Sequence, residues 1–84
     1  MDTITFTVNG RQMSLDRSTV EDAVRNAVPE PIRSHGVVVD DTQYPVKQVF
    51  ALSTGLDRLD FTSGVARRQL DKLGFEVVRR SDSE

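Results

Sequence analysis

The side chains with the widest chemical reach in this chain are cations, and they gather in its last third. Arg67, Arg68 and Lys72 share one helical stretch, and Arg79 and Arg80 follow the final apolar run. Arg68 and Lys72 are four residues apart. On a helix that juxtaposes like charges, at roughly a few tenths of a kcal/mol unless an anion compensates. Asp71, four after Arg67, offsets part of this. Such a set can contact phosphates, although an ordinary solvated helix face reads the same way. A further candidate is Lys47, in the run Tyr44-Pro45-Val46-Lys47. There the Tyr-Pro step fixes the approach to a helix and packs the tyrosine ring. Lys47 then falls in the first turn, where the macrodipole mildly disfavours a cation. An anion or an acidic partner would explain it, and so would plain solvation. Tyr44 is the aromatic candidate for a binding contact.

Catalytic chemistry finds less material. His35 precedes Asp40 and Asp41, a base with possible orienting carboxylates, but it reads more simply as a loop histidine before Gly36. The two aspartates could hold a hard cation, yet adjacent carboxylates also suit a hairpin turn. There is no Gly-x-Ser-x-Gly elbow, no Gly-rich phosphate loop and no His-Glu-x-x-His. Without cysteine, neither a disulfide nor a thiolate zinc site can form. The expectation is a chain with no catalytic residue, no metal and no cofactor, and not an enzyme.

The elements that must position these cations follow from local signals. Ile4, Phe6 and Val8 alternate with threonines, and Asn9-Gly10 suits a type I′ turn. A two-residue turn pairs Val8 with Arg11, Phe6 with Met13 and Ile4 with Leu15, which puts the apolar side chains on one face. Ser18 and Glu21 form a capping box for a helix over 18–28, with Val20, Ala23, Val24, Ala27 and Val28 as its stripe and a Glu21–Arg25 pair. Pro29 and Pro31 stop it. Residues 36–44 read as a second hairpin, turning at Asp40-Asp41 or Asp41-Thr42. A helix begins near Pro45 as its first residue, carries Val46, Val49, Phe50 and Leu52, and ends near Gly55. An ordered loop, 56–61, leads to a helix capped by Thr62 or Ser63, with Ala66, Leu70 and Leu73 inward. Gly74 closes it, with Phe75 folding back on Leu70, and Phe75 to Val78 is the last strand. The order ββα-ββ-αα-β implies an α+β fold, with three helices on one face of a mostly antiparallel sheet of four to five strands.

Eighty-four residues make one domain. The net charge of −2 argues against strong non-specific nucleic-acid binding. Its distribution is uneven, at −3 over residues 1–42 and +3 over residues 43–80. An anion-binding face therefore belongs in the second half. No apolar run approaches a membrane span, and the alternating N-terminus is not a signal peptide. The expected setting is the cytoplasm, with no membrane partner. Met1 and the polar tail suggest a complete small protein.

One longer pattern stands out: Gly36 through Lys47, then Asp60-Phe61-Thr62, Ala66-Arg67-Arg68-Gln69-Leu70 and Leu73-Gly74-Phe75-Glu76-Val77. Over residues 36–78 it resembles a small domain at the N-terminal head of some bacterial modification-dependent HNH restriction endonucleases, and related short proteins. The resemblance implies an accessory module for DNA recognition or defence, without catalysis of its own. By position it carries over Tyr44, Lys47, Arg67 and Arg68. This sequence has no HNH motif and no zinc site, so a role in that setting would be exerted in trans or as a lone regulator.

The leading expectation is a DNA-associated module that contacts phosphates through Lys47, Arg67, Arg68, Lys72 and Arg79. The alternative is a protein–protein adaptor or homodimer, using an edge of the first hairpin or the apolar loop 56–61.

Overall fold

In a computed structural model of the chain, which describes residues 3–32 and 35–79, Asn9 and Gly10 turn the first strand back on itself. Both have positive φ, 54° and 80°, as a type I′ turn requires. Strands β1 (Thr3–Val8) and β2 (Arg11–Asp16) pair antiparallel, with Ile4 opposite Leu15, Phe6 opposite Met13 and Val8 opposite Arg11. The register is the one the alternation predicts.

Helix α1 spans Arg17–Val24, starting before and ending before the expected 18–28. Its N-cap is Asp16, whose carboxylate accepts from the Thr19 N–H at 2.8 Å, so the Ser18–Glu21 capping box does not form. The reason lies one residue on. Arg17 donates to the Leu73 carbonyl at 3.1 Å and lies 4.2 Å above the Phe75 ring, which anchors the first turn to the far end of the chain. Arg25 pairs with Asp22 at 2.6 Å, and Glu21 turns back to Arg17. After Val24 the chain makes one more turn, with the Ala27 N–H on the Val24 carbonyl, and is then held by Gln48. Its amide donates to the Val28 carbonyl at 2.8 Å and accepts from the Glu30 N–H at 3.0 Å. Val28 thus leaves the apolar stripe and is 80% exposed.

The second hairpin joins β3 (His35–Val39) to β4 (Thr42–Pro45). Asp40 and Asp41 form its turn, with φ of 51° and 65°. Helix α2 (Val46–Thr54) follows directly. Pro45 caps it from outside rather than serving as its first residue, because it is still paired with Gly36 in the sheet. Gly55 at φ 77° ends it. A short 3₁₀ turn, Arg58–Asp60, leads to α3 (Ser63–Lys72), capped by the Thr62 hydroxyl. Gly74 at φ 90° closes α3 as a Schellman motif: its N–H donates to Asp71 O, and that of Phe75 to Leu70 O. Strand β5 (Glu76–Arg79) then pairs antiparallel with β3.

The fold is α+β, and its five strands divide between two antiparallel sheets, β1-β2 and β4-β3-β5, rather than forming one. Helices α2 and α3 pack on the central strand β3 and also reach the first hairpin. Phe50 is fully buried where these layers meet, its ring 5.4 Å from that of Phe6 and 4.7 Å from that of Phe61. Burying it contributes roughly 2–3 kcal/mol.

Candidate nucleic-acid interface

The cationic face is assembled by two elements that are consecutive in sequence but reach their places through a third. Ala66 and Leu70 are fully buried against the sheet, which turns Arg67 and Arg68 outward. The Schellman turn reverses the chain into β5, which lies beside β3 with Arg79 opposite His35 and Val77 opposite Val37. Arg67, Arg68 and Asp71 of α3, Val77 and Arg79 of β5 and His35 of β3 thereby line one open cleft of about 640 Å³. Three of the five expected cations are brought together here.

The other two are placed differently. Lys72 is exposed on the last turn of α3 and does not line this cleft. Lys47, in the first turn of α2, lines an adjoining cleft of about 240 Å³ with Glu30, His35, Gln48, Arg58 and Ser63. Its amine sits 5.6 Å above the Phe61 ring, within cation–π range. His35 is common to both clefts. Sequence reasoning passed it over as a loop residue, whereas it opens β3. The usable signal was its place beside Gly36 and the valine run, which puts it on the strand that β5 joins. Arg80 lies outside the described residues.

Tyr44 does not serve as a surface contact. It is buried, 6% exposed, and its hydroxyl donates to the Val24 carbonyl at 3.4 Å. Strand β4 alternates, and the Tyr44 side is the core side. The His35–Asp40–Asp41 grouping does not assemble either. The aspartates sit at the far end of β3, roughly 16 Å along an extended strand.

Among the described residues the ion pairs are Arg17–Glu21, Arg25–Asp22 and Arg58–Glu30. Lys47, Arg67, Arg68, Lys72 and Arg79 enter none of them. Two of the acids near in sequence are engaged elsewhere: Asp57 caps the 3₁₀ turn and Asp60 accepts from Asn9. Asp71 remains as the acidic member of the arginine cleft. In the smaller cleft Arg58 grips Glu30 through two hydrogen bonds of 2.6 Å. Those bonds hold the Glu30 carboxyl below its ordinary range and raise the Arg58 guanidinium above its own. The two charges largely cancel, which leaves Lys47 as the net charge of that cleft.

The arrangement can hold an anion by charge and hydrogen bonding. Among the described residues no three His, Cys, Asp or Glu side chains group as metal ligands, and no helix is long and apolar enough to cross a membrane. In the ordered loop, Leu56 and Phe61 are buried as expected, but Leu59 is 93% exposed.

A protein-family model described as SCO5918-like matches residues 7–84. No curated protein and no solved structure matches the chain. None of these comparisons links the chain to endonuclease head domains.

Proposed function

The chain belongs to the SCO5918-like family, and we propose that it acts as a small non-catalytic module that binds nucleic acid through its phosphate backbone. The observation that carries this reading is the shared cleft of Arg67, Arg68 and Arg79, with none of the three in an ion pair among the described residues. Arginine suits the role, since its planar fork binds two phosphate oxygens at once. Backbone contacts of this kind position a protein on nucleic acid without reading bases. The role is accessory or regulatory, in a bacterial DNA-recognition or defence setting, and cytoplasmic. Lys72, one turn beyond Arg68, extends the same face of α3.

The test is fluorescence anisotropy of labelled duplex and single-stranded DNA over a range of salt. Three phosphate contacts on duplex give a log–log salt slope of roughly −2.7. Arg67→Ala/Arg68→Ala should remove about two-thirds of that slope along with most of the affinity. No binding at low salt with protein at roughly 0.1 mM, the weak end of non-specific affinities, refutes the proposal.

A second reading has its own observation. Leu59, 93% exposed, and Val28, 80% exposed, flank the Arg58–Glu30 pair in sequence. Solvent-facing apolar side chains of this size suit a protein–protein contact or a homodimer. Sedimentation across a concentration series decides: self-association that disappears in Leu59→Ser favours this reading.

A further inference from the structure

The arginine cleft and a second cleft share one lining residue, His35. In that second cleft Arg58 and Glu30 satisfy one another. The Gln48 amide is committed to Val28 and Glu30 and serves as wall. What remains open to a ligand is the Lys47 amine, steadied over Phe61, with Ser63 and His35 around it. Lys47 is also the cation whose position in the first turn of α2 is mildly unfavourable on its own. The arginine cleft does not account for it.

We infer that the two clefts form one track for a single strand of nucleic acid, with the phosphodiester backbone crossing His35 between them. The phosphates on one side contact Arg67, Arg68 and Arg79, and the next phosphate along sits at Lys47. This rests on the nucleic-acid reading proposed above and narrows it. Cationic side chains in two clefts that share one lining residue suit phosphates of one backbone. A single strand can bend over the ridge into both recesses. A duplex is stiff over about 150 bp and meets such a ridge without dipping to either side. His35, half-buried and common to both clefts, also brings an aromatic ring of the kind on which an unpaired base stacks.

The experiment titrates the full chain with labelled oligo(dT) of two, four, eight and twelve nucleotides, chosen because thymine carries no charge near neutral pH. Affinity should rise from two to about four nucleotides, as a strand grows long enough to bridge both clefts. Lys47→Ala should abolish that gain, leaving the eight-mer bound no better than the two-mer. It should also lower the single-strand salt slope by about 0.7, one contact's worth. Lys47→Gln repeats the test with more of the side chain retained over Phe61. Arg67→Ala/Arg68→Ala should weaken every length, whereas Arg11→Ala, which lines neither cleft, should change none. If Lys47→Ala and Lys47→Gln leave length dependence and slope intact while the double arginine variant loses binding, the track is wrong and the nucleic-acid reading survives. Tighter binding of duplex than of an equal length of oligo(dT) at the same salt also overturns the track. Failure of the wild-type chain to bind any strand removes both.

Discussion

Replacing Gly36 by alanine tests how tightly the strand that carries His35 is held. Gly36 is buried in β3, between Pro45 of β4 and Val78 of β5. A Cβ built there meets Ile32 Cδ1 at 2.9 Å, the Tyr44 carbonyl oxygen at 3.2 Å and Val78 Cγ2 at 3.3 Å. Carbon atoms in ordinary contact are about 3.5–4.0 Å apart, so all three contacts are short. They differ in how easily they yield. The Ile32 methyl can rotate away, at about 0.5–1.5 kcal/mol if it leaves its rotamer. The Tyr44 oxygen belongs to the hairpin backbone, and Val78 has a stiff, branched side chain. Overpacking of this kind costs about 1–3 kcal/mol. Alanine recovers about 0.4–1 kcal/mol by restricting the unfolded chain. The net loss is therefore about 1–2 kcal/mol. At about 4–8 °C per kcal/mol for a domain of this size, Tm should fall by roughly 5–15 °C. Thermal and urea denaturation followed by circular dichroism measure it, with an unchanged m-value if only stability has moved. Ile32→Val removes the closest atom. Combined with Gly36→Ala, it should cost about 0.5 kcal/mol or more below the sum of the single changes. A Tm for Gly36→Ala equal to or above wild type would refute the packing account. Strict additivity in the double variant would refute the part assigned to Ile32.

Three further outcomes follow from the same structure. Phe50→Ala removes the ring that Phe6 and Phe61 share and should cost about 3–5 kcal/mol, enough to leave a small domain largely unfolded, as near-ultraviolet and one-dimensional NMR spectra would show. Gly74→Ala forces a side chain into the left-handed region at φ 90° and should lower stability by about 1–2 kcal/mol in urea titrations. Glu30 is held below its ordinary value of 4.5 by Arg58, so its contribution is fully present above that value and is lost as pH falls through the lower folded one. Glu30→Gln should be less stable than wild type at pH 7, by at most about 1 kcal/mol for so exposed a pair, and the gap should close in acid. A gap that widens as pH falls would contradict the sign.

The features legible in the sequence are those whose partners are close along the chain. Asn9-Gly10 sets the first register because two adjacent residues can supply both positive φ angles. Gly74 and Phe75 announce the end of α3 because the Schellman bonds reach back only to Asp71 and Leu70. What could not be read depends on distant partners. Asp16 and Ser18 are both competent caps, two residues apart, and the choice between them accompanies the grip of Arg17 on Leu73 and Phe75, from the other end of the chain. The end of α1 is decided by Gln48, a polar residue that periodicity cannot assign to the interior. Whether Tyr44 packs its ring or offers it to a ligand is decided only when β3 and β4 pair and the ring turns inward. The division into two sheets, and with it the meeting of His35 with Arg79, rests on β5 choosing β3 over the first hairpin. No local pattern encodes that choice.

The pairing of β5 with β3 also fixes when the cationic cleft can exist. His35 and Arg79 face one another across a loop of roughly forty residues, whose closure costs more entropy than either hairpin turn. Contacts of that span form late relative to local ones. A chain still emerging from the ribosome can close its first hairpin and wind α1 and α2 while residues 76–79 are not yet free. Until they are, Arg67 and Arg68 have neither Arg79 nor the flanking strand beside them. The proposed anion site therefore exists only once residues 76–79 have joined β3. Partly made chains, although they carry most of the same arginines, lack the surface that would engage a phosphate backbone.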